Sequence, residues 1–289
     1  MMVSVGRFRG LVLFALQTAL LSGLMTSLVL AQEVENIEVE NIEVENIEVE
    51  NIEEHPLVPV LKIAEAGLKN IDANIVDYSA TLIKRERVKG RLTPNQYLYI
   101  KVRHKPFSVY TVFLGPEEFK GREVIYVEGQ NGDKLLAHEG RGWKARIGMV
   151  ALKPDSPLAM EGQRYPITMM GMRMLTQRLM EVGQEDLRFD EVEVKNHEGV
   201  KINGRNSTCV EAIHPVPRKH FRYHLARVFI DDEWQMPVRF EAFLWPLKKD
   251  GKPVLVEQYT YVNVKFNNGF TDKDFDPQNE KYKFVKKKR

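Results

Sequence analysis

Cysteine is almost absent from this chain of 289 residues: Cys209 stands alone, which excludes an intramolecular disulfide. Whatever folds here is held by a hydrophobic core, and more than 200 residues beyond an apolar leader are enough to bury one. Cys209 falls in the strand-like run Asn206 to Ile213 with no cysteine-enzyme signature around it, so an inert, buried thiol is expected. Catalytic motifs are missing as well. There is no Gly-x-Ser-x-Gly elbow, no His-Glu-x-x-His helix, no phosphate-cradling glycine loop and no Gly-x-Gly-x-x-Gly turn. Asp272, Asp274 and Asp276 imitate the start of a calcium loop, but Pro277 replaces the turn glycine and Lys283 the closing glutamate. His214, His220 and His224 sit in a loop and strand start rather than on one helical turn, which favours surface histidines over a zinc site. The chain therefore reads as non-enzymatic, with no metal and no cofactor. Glu86, Glu123 and Asp231 are carboxylates that would acquire meaning only if two buried polar groups converged beside a pocket.

Charge is segregated along the chain. Residues 32–54 hold ten glutamates and no basic residue, whereas residues 55–289 hold 40 Lys and Arg against 30 Asp and Glu. A basic domain with an acidic arm, outside the cytoplasm, meets anionic membrane surfaces or polyanionic polymers rather than nucleic acid. The export expectation rests on residues 1–31: Arg7 and Arg9 precede an apolar run from Leu11 to Leu30, and Val29-Leu30-Ala31 suits cleavage after Ala31. The same run is long enough to span a bilayer, so an uncleaved inner-membrane anchor is the alternative to release into the periplasm or envelope. Glu33 to Ile52 is four copies of Glu-Val-Glu-Asn-Ile, a pentapeptide repeat that fits neither a helix face nor strand alternation. Residues 32–56 are accordingly expected as a disordered acidic linker, and residues 281–289, six of them basic, as a solvated tail.

Between these ends, residues 57–280 read as one domain. Leu57, Val60, Leu61, Ala64, Leu68 and Ile71 have the spacing of an amphipathic helix. Alternating runs follow from Tyr78 to Val88, Gln96 to His104, Ser108 to Phe113, Arg122 to Val127 and Lys134 to His138, separated by glycine, proline and asparagine turns. The sheet is expected to break between Met149 and Val182, where a helix is predicted from Met169 to Met180. It resumes at Glu191 to Lys195, Asn206 to Ile213, and two long runs, Leu225 to Trp245 with a turn at Asp231-Asp232-Glu233, and Val254 to Phe266. The order helix, strands, helix, strands excludes a doubly wound parallel sheet. It predicts an α+β fold in which a curved antiparallel sheet wraps over helices. Of eleven methionines, Met160, Met169, Met170, Met172, Met174 and Met180 fall within 21 residues, and flexible thioethers of this density suit either core filling or a cavity for acyl chains.

The stretches Tyr78 to Glu86, Arg103 to Tyr110 and Gly121 to Gly129 resemble the planctomycete domain of unknown function 1571 family. Val228 to Asp231, Pro237 to Phe240, Tyr259 to Tyr261 and Phe270 to Phe275 carry the same resemblance, over roughly residues 57–280. In pattern the chain is also similar to periplasmic lipoprotein carriers of the localisation-factor A type. That likeness implies an unclosed β-barrel capped by helices around an apolar hollow. On this basis the expected function is an exported, monomeric, non-enzymatic carrier or binding protein for a lipid or an acylated protein. The expected ligand-binding residues are Leu98, Ile100, Val102, Phe240, Ala242 and Leu244 on the sheet, opposite Met169, Met170, Met172, Met174 and Leu175 on the helix. The rival is an envelope structural or regulatory module that binds protein or anionic polysaccharide through its basic surface.

Overall fold

A computed structural model describes residues 54–284. The leader, the pentapeptide repeat and residues 285–289 lie outside the described residues. The first element is helix α1 (Leu57–Asn74), as the 3, 4 spacing requires. Seven strands follow: β1 (Asp77–Val88), β2 (Arg91–Leu92), β3 (Gln96–Arg103), β4 (Ser108–Gly115), β5 (Glu123–Val127), β6 (Leu135–His138) and β7 (Met149–Leu152). Helix α2 (Met172–Asp186) comes next, then β8 (Glu193–Ile202), β9 (Arg205–Ile213), β10 (Leu225–Asp231), β11 (Met236–Leu244) and β12 (Val254–Phe266).

These twelve strands form one sheet, ordered β7-β6-β5-β4-β3-β1-β12-β11-β10-β9-β8, with β2 hanging on β1. Every neighbour in that order pairs antiparallel. The terminal strands β7 and β8 do not pair with each other, so the expected α+β fold with an open, curled antiparallel sheet is the one observed. Bulges bend the long strands between Ser79 and Thr81, Tyr97 and Leu98, Phe229 and Ile230, and Ala242 and Phe243. Each adds a residue to one strand and sharpens the local twist, which is how a sheet this wide curves over its helices.

Three local outcomes differ from the sequence reading. The second helix begins at Met172, after a 3₁₀ turn at Ile167–Met169, because Gly171 sits at φ 115°, where a helix cannot pass. Strand β7 occupies a stretch expected to interrupt the sheet; its four residues are too few to show alternation. Strand β8 is longer than Glu191 to Lys195, since an edge strand exposed on both faces carries little apolar pattern.

The core fills one end of the concave face. Tyr78, Ala80, Leu82, Leu98, Ile100 and Val102 project inward from β1 and β3 and pack against Ile71 of α1 and Met172 of α2. The Tyr78 hydroxyl accepts the Met172 N–H at 2.9 Å, which fixes the first turn of α2 on the sheet. A second core covers the opposite face, where Tyr110, Ile125 and Leu136 meet Phe275, Tyr282 and Phe284. Lys101 joins it, 2.7 Å from Asp274 and 4.9 Å from the Phe270 ring centre. Residues 281–284 are thus part of the packed structure: the aromatic side chains between the lysines bury themselves, and only the charges stay outside.

Candidate functional site

Beyond the helix-filled end, the concave face is hollow. In β-register, Thr111 of β4 lies opposite Val124 of β5, Val124 opposite Ala137 of β6, and Ala137 opposite Val150 of β7. This row of short side chains runs across four strands, and interiors need matched volume to close. A cavity of about 390 Å³ remains between the sheet, the segment 143–171 and helix α2. Its walls are mainly aliphatic and aromatic.

Leu98, Met169, Met170, Met174, Leu175 and Phe240, all expected from sequence, line this cavity. The other expected residues do not. Ile100, Val102 and Met172 are sealed in the core where α1 and α2 cover the sheet. Ala242 is packed beneath Tyr223, Phe240 and Val256, and Leu244, at the end of β11, is exposed. The methionines divide because Met169 and Met170 precede the helix. They face the hollow from the 3₁₀ turn while Met172, at the first helical position, faces the core.

One wall of the cavity is polar, and of its residues the sequence reading named only Glu86. Along β1 the inward positions are Tyr78, Ala80, Leu82, Lys84 and Glu86; along β12 they are Glu257, Tyr259 and Tyr261. The strand register sets Glu86 directly opposite Glu257 and Lys84 opposite Tyr259. Both glutamates are buried, at 3% and 1% exposure. Two like charges facing across a ladder are unfavourable alone, and here each carboxylate is heavily partnered. Glu86 accepts the Tyr259 hydroxyl at 2.6 Å, the Lys84 ammonium at 3.1 Å and the Arg164 backbone N–H at 3.2 Å. Glu257 accepts the hydroxyls of Tyr223 and Tyr165 and lies 3.2 Å from Arg164 Nε. Lys84 also donates to Gln163. Two cations therefore balance two anions.

The tyrosines are held as donors. Burial, then the neighbouring glutamate charges, push the Tyr259, Tyr223 and Tyr165 hydroxyls above their ordinary pKa. Burial works against the Arg164 charge, but Glu257 and Tyr165 outweigh it and hold the guanidinium protonated. The cluster thus ties the sheet to the segment Gln163-Arg164-Tyr165 that borders the hollow. A signal for it existed in sequence: Lys84 and Glu86 continue the inward phase of Ala80 and Leu82, where a charged residue needs a buried partner. The other two carboxylates singled out lie elsewhere. Glu123 accepts from Tyr110 and Lys283 on the opposite face, and Asp231 pairs with Arg205 at the β10–β11 turn.

The remaining motif residues are structural. Asp272 and Asp274 bind Arg103 and Lys101. His214 stacks on Phe221 and His220 on Phe189, while His224 lies against Trp245. None of the described helices is long and apolar enough to cross a membrane.

A family model described as protein of unknown function (DUF1571) matches residues 75–284, which span the sheet, α2 and the C-terminal segment. The chain belongs to this family. Every element that builds the hollow lies within the match. No curated protein sequence matches the chain. Among solved structures, it is similar to the lipoprotein LppX of Mycobacterium tuberculosis, with 15% identity over 74% of this chain and 98% of that one, at a TM-score of 0.42. A LolA superfamily protein from Nitrosomonas europaea has 10% identity over 74% and 97% of the two chains, at a TM-score of 0.29. MucB, in the MucA/MucB complex of Pseudomonas aeruginosa, has 12% identity over 75% of this chain and 60% of that one, at a TM-score of 0.40.

Proposed function

We propose that this DUF1571 member is an exported, non-enzymatic binding protein that holds the acyl part of a lipid or of an acylated protein. The observation that carries this reading is the hollow of about 390 Å³ between a curved sheet and a methionine-bearing segment. Small-molecule sites run from roughly 300 to 1,000 Å³ and are mostly apolar with a few placed polar groups. Its walls supply both kinds. At about 0.8 kcal/mol per methylene, an acyl chain in water costs on the order of 10 kcal/mol, and an aliphatic hollow offsets that cost. Met169, Met170 and Met174 adapt to chains of different length or unsaturation because their thioethers have several accessible rotamers.

The test is native mass spectrometry of protein purified from its own envelope, which is expected to show co-purified lipid. Ala137→Trp projects an indole into the hollow from the middle of the short row and is expected to remove that lipid while the fold persists. A wild-type protein free of lipid, and unable to take up a fluorescent fatty acid, would count decisively against the proposal.

One observation favours a second reading. Glu86 and Glu257 converge beside the cavity, and paired carboxylates are what acid–base chemistry uses. Their oxygens are already occupied by Lys84, Tyr165, Tyr223, Tyr259 and the Arg164 main chain, which favours a structural pair. Hydrolysis of an ester or amide by the purified protein, abolished by Glu257→Gln, would replace the carrier reading with an enzymatic one.

A further inference from the structure

The cavity opens to solvent through a rim that is itself apolar. Trp143, Ile147 and Leu158 line the hollow and yet are 70%, 61% and 57% exposed, and Met149 beside them is 45% exposed. Large side chains grouped in this way cost free energy in water unless something covers them. The stretch that carries Trp143, Ile147 and Met149 has charge of one sign, although Asp155 and Glu161 flank Leu158. From residue 140 to 154 there are four basic residues, Arg141, Lys144, Arg146 and Lys153, and no acidic one. Arg141 is held by Glu117, and Lys144 lies 4.0 Å from Glu161. Arg146 and Lys153 make no ion pair among the described residues and are exposed. Glu139, the acid just before this stretch, is drawn back to Arg122 at 2.9 Å; Asp155 is the first acid after it.

We propose that this rim docks on an anionic lipid surface, with Trp143, Ile147, Met149 and Leu158 entering the headgroup layer and Arg146 and Lys153 contacting lipid phosphates. Trp is suited to that layer because its ring is apolar and its N–H stays wet. Basic side chains each add attraction to an anionic leaflet, and their aliphatic stems lie along apolar surface. The inference rests on the carrier reading and gives it a route. Because the rim residues also form the cavity wall, an acyl chain would pass from bilayer to hollow without crossing water. That passage removes most of the cost of desorption. A protein partner is the less favoured occupant, since an isolated cationic rim of aliphatic residues offers little polar pattern for side-chain recognition.

The experiment mixes the full chain with vesicles of phosphatidylcholine, or of phosphatidylcholine containing phosphatidylglycerol, with brominated acyl chains as quencher. The contribution of Trp143 is isolated as the difference in emission between the native chain and Trp143→Phe, both of which retain Trp234 and Trp245. Quenching of that contribution is expected on the phosphatidylglycerol vesicles. Arg146→Gln combined with Lys153→Gln is expected to lower it roughly 30-fold at sub-saturating lipid, from about fivefold per charge removed, and added salt to act the same way. These residues are exposed, so circular dichroism should be unchanged. Trp143 emission that is unquenched on anionic vesicles, or quenching indifferent to both the charge variant and salt, overturns the proposal. Native mass spectrometry of the same preparation separates the two ideas. Bound lipid with unquenched Trp143 refutes the docking rim alone, and quenched Trp143 on a lipid-free protein that takes up no fatty acid refutes the carrier alone.

Discussion

Replacing Lys84 by methionine tests whether the polar wall is built as an interlocked unit. The ammonium and the Glu86 carboxylate are 3.1 Å apart, with side chains only 5% and 4% exposed. At an effective dielectric constant of about 20, two unit charges at that separation attract by about 5 kcal/mol. Methionine preserves the length of the stem but removes the charge. Glu86 then keeps the Tyr259 hydroxyl and the Arg164 N–H, which recover part of the loss. A net destabilisation of about 3 kcal/mol is expected, at the lower end of what breaking a buried pair costs. For a domain of this size that corresponds to a fall in Tm of roughly 6–12 °C. Urea unfolding followed by far-ultraviolet circular dichroism measures it. The double variant Lys84→Met/Glu86→Gln removes the stranded charge while leaving an acceptor for Tyr259, and should restore about half of the deficit or more. A single variant within 1 kcal/mol of wild type, or a double variant that is the sum of its parts, would show that the charges do not depend on one another and would refute the argument.

Gly171→Ala is expected to cost about 2 kcal/mol or more, because φ is 115° there and a Cβ would stand 2.8 Å from the Tyr78 hydroxyl; urea midpoints unchanged within experimental error would contradict this. Asp231 is buried but accepts both arms of Arg205 and the N–H groups of Glu233 and Trp234. Burial pushes its pKa up, yet Arg205 and those N–H groups outweigh it and hold it below the usual 3.8. Its contribution to stability is therefore complete above the unfolded value and disappears as pH falls through the lower folded value. Asp231→Asn should lose about 2–3 kcal/mol at pH 7 and converge on wild type in strong acid; parallel stability curves over the whole range would show that Asp231 is not the group responsible. Burial raises the Cys209 thiol to about 11, so at mildly alkaline pH the native protein is expected to resist a disulfide reagent and to react only when unfolded. Stoichiometric labelling of the folded protein would contradict that.

How far the sequence reached differs between fold and site. The alternation in Tyr78 to Val88, Gln96 to His104 and Val254 to Phe266 was sufficient for strands β1, β3 and β12, because one buried face imposes a period of two. The spacing from Leu57 to Ile71 was sufficient for α1. Strand β7, with four residues, and β8, exposed on both faces, left no such pattern. The run of methionines extends the helical preference back through Gly171, and only the positive φ of that glycine sets the start of α2 at Met172.

For the cavity, local pattern could name inward-facing residues but not what lies across from them. Leu98 and Ile100 have the same phase on the same strand, yet one borders the hollow and the other is sealed beneath Ile71 and Met172. Glu86 and Glu257 are 171 positions apart and become neighbours only through the register of β1 on β12. By itself the sequence determined that a basic domain without a disulfide folds as a curved antiparallel sheet over helices, because hydrophobic periodicity is a local property of the chain. Only the tertiary structure decided where that sheet is filled and where it is hollow. Volume and charge are balanced between side chains that are distant in sequence, and strand register alone brings them together.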